Sequence, residues 1–331
     1  MGLRTYVIRR IIYSLLILLI FLTINFLIFN AMPGDPLQKY SESVEGKMTE
    51  AEFQELRKYF GLDLSLQERY VVYLKNMLNF DFGRSRETGI AVVQSVSERL
   101  GNTLLLMGMS AVFSIAIGTL LGVLLAYKRG TKLETGAVTT VLTLSALPVF
   151  WIGWLIIYFF AVQLHLFQIG GTYPTWWAGG NTPVNPLEYI AGRLYVLTLP
   201  VLTLFVFNFD GWMLLTRACV IETITEDYVV TARAKGLKER TILLKHVLKP
   251  ASLPLVTAMA MTFAFLWNGA IITETLFAYH GMGMWIFAAI YSKDLPAMYT
   301  IFYISGLLVI IANFVVDLVY GVIDPRIKVG G

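Results

Sequence analysis

Residues 11–31, 101–127 and 295–316 contain no Asp, Glu, Lys, Arg or His. Each exceeds the roughly 18–20 residues that a helix needs to cross the hydrocarbon core of a bilayer. A soluble domain carries about a quarter charged residues. Here only 15% are charged and 56% are hydrophobic, and the deficit is concentrated in these runs. The chain is therefore expected to be an all-α polytopic membrane protein.

Hydropathy places six transmembrane helices at residues 11–31, 103–127, 137–164, 194–216, 253–273 and 298–320. Lys and Arg set the orientation, because short cytoplasmic loops carry the excess of positive charge. Arg4, Arg9 and Arg10 precede the first span, Lys128, Arg129 and Lys132 follow the second, and Arg326 and Lys328 lie in the tail. The segment after the fourth span is richest, with Arg217, Arg233, Lys235, Lys238, Arg240, Lys245 and Lys249. The loops after the third and fifth spans hold only Arg193 and Lys293. Both termini are thus expected in the cytoplasm. The first apolar run is too long for a signal-peptide core and lacks a small-x-small cleavage site, so it reads as an uncleaved span.

Three regions follow: 1–31 (N-terminus and first span), 32–100 (an external helical module) and 101–331 (a five-helix core). In the module, Thr49-x-x-Glu52 and Ser65-x-x-Glu68 are capping boxes, each opening an amphipathic stretch. Ala51, Phe53, Leu56 and Phe60 line one face of the first stretch, which Gly61 is placed to end. Tyr70, Tyr73, Leu74, Met77 and Leu78 line the second, and Ile90, Val93, Val96 and Leu100 carry a third helix into the second span. Residues 165–192 read as an irregular lid or an interfacial belt, with Trp176, Trp177 and many glycines and prolines. No repeat relates the two halves, so an inverted-repeat secondary transporter has no support.

Residues for catalysis are absent from the pattern. His165, His246 and His280 form no metal-ligand spacing with each other or with Cys219, the one cysteine. No phosphate-binding loop and no nucleophile motif occurs, so neither catalytic nor metal-binding residues are expected. If ATP drives this protein, another chain must bind it.

The segment 217–250 is the most informative. Residues 226–250 read EDYVVTARAKGLKERTILLKHVLKP: a helix-compatible run, an interruption at Gly236, then helical spacing through Leu237, Thr241, Leu244 and Leu248. Two short helices joined at a glycine make a bracket without a core of its own. Val229, Ala232 and Leu237 would remain to fill a partner's groove. Sequence physics alone leaves a solvated basic loop open as the alternative.

Tyr228–Pro250 resembles the EAA loop of ABC importer permeases, and Asp227-Tyr228-x-x-Thr231-Ala232-Arg233-Ala234-Lys235-Gly236-Leu237 is similar to the peptide-type branch. The likeness extends along nearly the whole chain. It includes Pro33-Gly34-Asp35-Pro36, Gly61-Leu62-Asp63, Asp81-Phe82-Gly83-Arg84-Ser85, Glu274-Thr275-Leu276-Phe277, Gly281-Met282-Gly283 and Asp324-Pro325-Arg326. The resemblance implies one permease subunit in the inner membrane of a prokaryote, importing peptides and forming half of a translocation path. It also implies a second homologous permease, two ATPase subunits that use ATP and Mg, and an external solute-binding protein. Lipid is the surrounding solvent, and nucleic acid is not an expected partner. Asp227, Tyr228, Ala232, Arg233, Ala234, Lys235, Gly236 and Leu237 would couple to the ATPase. Two departures concern residues that could meet the cargo: the aromatic lid is longer than in that family, and Asp210 stands where a neutral residue is usual.

Ionisable groups inside spans are costly and usually face a cavity or a partner. Asp210 would line the path or touch the partner permease. Glu274, at the end of the fifth span, would be an external gate or a fixed helix contact. Trp151, Trp154, Trp212 and Trp267 read mostly as packing. If several of them shared one cavity with Asn268, an oligosaccharide would suit it as well as a peptide. A channel or secondary transporter would need a ring or relay of acids, and two isolated carboxylates do not supply one.

Overall fold

In the computed structural model the described residues are 3–31, 63–85, 88–180, 183, 185–266 and 270–323. The expected capping box at Thr49 and the motif Pro33-Gly34-Asp35-Pro36 lie outside them, as do Trp267, Asn268 and Asp324-Pro325-Arg326. The helices are α1 (Leu3–Asn30), α2 (Leu66–Leu78), α3 (Val92–Tyr127), α4 (Lys132–Ser145), α5 (Val149–Ile156) and α6 (Pro186–Ile224). They continue as α7 (Asp227–Ala234), α8 (Glu239–Thr241), α9 (Leu248–Ala264), α10 (Ile271–Leu276), α11 (Met282–Ser292) and α12 (Leu295–Ile323). π-helical turns extend α5 over Ile157–Gln163 and join α8 to α9 over Ile242–Val247. Two compact units form: residues 1–99 with 285–331, and residues 100–284.

In the first unit the largely apolar part of α1 after Arg10 buries a stripe at Leu18, Leu22, Asn25, Phe26 and Phe29. Exposed Leu15, Ile17, Ile20 and Leu27 cover the rest, as suits a lipid-facing helix. α12 runs along α1. A side chain at Gly306 would collide with the ring of Phe21, so glycine permits this close approach. α2 starts at the predicted box: Ser65 accepts from the Glu68 amide, and Glu68 accepts from the Ser65 amide at 2.9 Å. The bonds from Ser65 hold the Glu68 carboxyl below its ordinary range. Tyr73 and Met77 turn inward, and Asn25 of α1 donates to the Tyr73 hydroxyl at 3.0 Å. Exposed Leu78 departs from the expected apolar face.

In the second unit α3 and α6 cross where Gly118 and Gly122 face Trp212 and Met213. A Cβ at either glycine would strike the α6 backbone. This small-x-x-x-small spacing allows two membrane helices to pack closely. α4 opens with Thr131 as its cap, and its Glu134 pairs with Arg217 of α6, whose Nε donates at 2.8 Å.

Among the described residues five helical stretches are long and apolar enough to span a membrane, and a sixth exists if α4 and α5 count together. The third expected span is therefore not a straight rod. Its two arms meet at 99°, next to Pro148, which caps α5 from extended backbone and cannot continue a helix from the preceding turn. The fourth is longer than expected, so Arg193 and Arg217 lie inside α6 rather than in loops. The fifth, expected over 253–273, ends at Ala264, and helix resumes separately at Ile271. Glu274 thus belongs to α10 and not to the end of a span.

Candidate functional site

The bracket between α6 and α9 is built by local rules. α7 has Asp227 in its first turn and Arg233 in its last, both favourable to the helix dipole. It ends through Gly236 at φ +74°. The Gly236 amide donates to Arg233 at 2.9 Å and the Leu237 amide to Ala232 at 3.4 Å. This pair of bonds is a Schellman motif, whose C′ position wants glycine. Lys238 then caps α8 from extended backbone.

One expectation is overturned here. Val229 and Ala232 do not wait for a partner: they are buried against Val220, Ile242, Val247, Ala251 and Leu255. The bracket has a core within its own chain. Sequence spacing marks an apolar face but cannot say whose surface covers it. What stays outward is Tyr228, Val230, Leu237 and Leu244, all exposed. Asp227, Arg233, Ala234 and Lys235 are exposed as well, and Arg233 reaches Glu239 at 3.1 Å across the bend. The expected helix from Leu237 begins only at Glu239 and is mostly π-helical, a form that often marks functional positions.

A second site is a buried polar knot. Glu274 is fully buried, accepting from the Thr103 hydroxyl at 2.8 Å and from the Met284 amide at 3.0 Å. Thr103 in turn accepts from the Met282 amide at 2.8 Å. A Cβ at Gly281 would collide with the Glu274 carboxyl, and one at Gly283 with the Ile271 backbone. That accounts for the Gly281-Met282-Gly283 spacing. Arg193 is also buried; it donates to the Thr172 carbonyl at 2.5 Å, to Asn102 Oδ1 at 2.7 Å and to the Tyr279 hydroxyl at 3.0 Å. Burial pushes the Tyr279 phenol up to about 12, against the opposing pull of the Arg193 charge. Asn102 donates to the His280 carbonyl at 2.9 Å, and the His280 amide to the Thr172 hydroxyl at 2.8 Å. α3, the 165–180 segment, α6 and the 270–284 stretch are thereby fastened together. Sequence reading singled out Glu274 alone. Arg193 passed as a loop charge, and only a glutamate followed by two closely spaced glycines hinted at the rest.

A third feature is a half-open cavity of about 310 Å³ between α3, α6 and the end of α9. Ser110, Ser114, Asn208 and Thr262 give it polar atoms; Trp212 and Phe265 form apolar wall. Asp210, expected on a path, is not among its lining residues. It is half-buried on α6, and among the described residues no hydrogen bond or ion pair reaches it. Trp151 and Trp154 are exposed on α5 and do not join Trp212.

Helices long and apolar enough to span a membrane line a half-open cavity, and two of them carry the stapled bracket, an arrangement that suits a membrane transport protein. Residues 118–329 match the family described as the binding-protein-dependent transport system inner membrane component, and residues 3–107 match its N-terminal family. The oligopeptide transport system permease protein AppB of Bacillus subtilis is 32% identical over 324 residues, covering 98% of this chain and 99% of that protein. The dipeptide transport system permease protein DppB of Escherichia coli K12 is 29% identical, covering 92% and 93%. The fold is similar to a chain of the MetNI methionine ABC transporter in inward-facing form, with a TM-score of 0.53 and 20% identity, covering 70% of this chain and 97% of that one. The chain belongs to the family of inner-membrane components of binding-protein-dependent transport systems, which are multi-pass permeases of ABC transporters.

Proposed function

We propose that this subunit forms half of the translocation path of an ATP-driven peptide importer. The observation that carries the cargo class is the near-full-length similarity to oligopeptide and dipeptide permeases. An oligosaccharide cargo is not favoured: among the described tryptophans, Trp151 and Trp154 lie exposed on α5 and do not join Trp212 at the cavity. The partners are a second homologous permease, two ATPase subunits that hold ATP and Mg, and an external solute-binding protein. Both termini and the bracket lie on the cytoplasmic side, a reading supported by the Lys and Arg distribution.

In this account the ATPase docks on the outward face of the bracket, where Tyr228, Val230, Leu237 and Leu244 leave apolar surface next to exposed charges. Because α7 is fused by its own core to α6 and α9, a push on the bracket moves both helices together. The cavity lies between those helices and α3. ATP binding then biases one facing state through contacts that differ between states. Glu274 acts as a fixed anchor rather than a mobile gate, since both carboxylate oxygens are already engaged. Asp210, without a partner among the described residues, faces the second permease or water.

The test is reconstitution with the partner subunits in vesicles. ATP-dependent uptake of peptides, lost when Tyr228 and Leu237 are both changed to Ser while the subunit remains inserted, supports this reading. Uptake that persists without ATP, or with the outward face so altered, contradicts it.

A further inference from the structure

The cavity between α3, α6 and α9 holds polar groups that the fold leaves unused. Ser110 and Ser114 stand one turn apart on α3, 3% and 1% exposed. Hydroxyls buried in a helix ordinarily bond the carbonyl one turn back. Thr203 and Thr262 do so, at 2.9 and 3.0 Å. Among the described residues Ser114 Oγ is buried with no hydrogen-bond partner, an arrangement that costs free energy unless a further group completes it. Across the cavity Asn208 donates its amide to the Leu204 carbonyl at 2.8 Å, which leaves its side-chain carbonyl as an acceptor. The described wall thus presents two hydroxyls and an amide oxygen, flanked by Trp212 and Phe265, without a charged side chain.

We propose that this cavity is a peptide-backbone subsite on this subunit, where Ser110, Ser114 and Asn208 engage the amide groups of a passing short peptide. The chemistry matches in both directions. A peptide unit offers one N–H donor and one C=O acceptor, and the wall offers acceptors for the first and hydroxyl donors for the second. Apolar flanks accept side-chain stems of many kinds, and an uncharged wall attracts neither sign of charge. The site therefore reads the backbone and tolerates sequence variety. Its volume sits at the lower end of the ~300–1,000 Å³ typical of small-molecule sites. The subsite rests on the peptide-importer reading.

Gly211 supplies the reporter. It lines the cavity, and a Cβ there would meet nothing within 4 Å. In a Cys219→Ser background, Gly211→Cys should react with a small thiol reagent in the reconstituted complex. A mixture of di-, tri- and tetra-alanine should slow that reaction; maltotriose should not. Ser114→Ala removes only an unsatisfied hydroxyl, so insertion should hold, while KM for peptide uptake rises about 3- to 10-fold, the value of one neutral hydrogen bond. Adding Ser110→Ala should raise it further. Peptide uptake that proceeds with unchanged KM in the double variant and unprotected Gly211→Cys overturns the subsite and leaves the importer reading standing. A complex that hydrolyses ATP but takes up no peptide overturns both.

Discussion

Changing Gly236 to Val isolates what the bend contributes. Gly236 sits at φ +74°, and a Cβ there would meet no other atom within 4 Å. Among the described residues no Cβ clash therefore accounts for an effect. The whole cost is conformational: about 1–2 kcal/mol for an L residue in the left-handed region, and roughly 2–3 kcal/mol for a β-branched one. The chain can relieve this only by letting Gly236 leave that region. The bonds from Gly236 to Arg233 and from Leu237 to Ala232 then break, and α8 loses its angle to α7. At 1.4 kcal/mol per factor of ten, the fraction of brackets in docking geometry falls by about 30- to 100-fold. Insertion should be unaffected, because Val229 and Ala232 still hold α7 to its core. ATPase pull-down and ATP-driven uptake in vesicles should fall together for Gly236→Val. Gly236→Asn should stay close to wild type, since asparagine tolerates the left-handed region. Normal docking and uptake by Gly236→Val would refute the reasoning. Equal failure of both variants would mean that a partner surface fills the space beside the bend, and the backbone argument would be wrong.

Val229→Ala should destabilise the subunit by about 1–3 kcal/mol, read as a lower unfolding temperature in detergent, because it opens the core beneath α7. Val230→Ala, next to it but exposed, should leave that temperature unchanged and weaken ATPase pull-down. Arg193→Lys should lower unfolding temperature and uptake together, since a lysine cannot reproduce three bonds in fixed directions. Glu274→Gln should be milder than Glu274→Ala, which strands the Thr103 hydroxyl and the Met284 amide. Glu134→Ala should destabilise, and exchanging the charges with Arg217 should recover part of the loss in the same thermal assay.

Much of the architecture was legible because membrane helices announce themselves by length and absence of charge. α1 and α12 followed directly from such runs, and the Ser65 box marked the start of α2 to the residue. The bend between α4 and α5 was harder, because Pro148 lies inside a continuous apolar run and hydropathy averages over it. α9 and α10 were fused for the same reason. The bracket's turn at Gly236 was readable, since a glycine after a helix with no other breaker has few uses. Its inner face is not legible from spacing: Val229 and Ala232 have the pattern of any amphipathic helix, and their cover comes from Ile242, Val247 and Ala251 on later elements. The polar knot was hidden by dispersion. Asn102, Thr103, Thr172, Arg193 and Tyr279 come from four separate regions, and no local pattern links them to Glu274.

The central claim is that this subunit passes peptides when a partner hydrolyses ATP. Its most direct test is accumulation of labelled short peptides inside vesicles that carry the whole complex and its solute-binding protein. The account predicts accumulation that requires ATP and this chain, persists after ion gradients are collapsed, and is not competed by maltotriose. Uptake driven by an ion gradient in the absence of ATP, or ATP-driven accumulation of the sugar instead of the peptide, would contradict it.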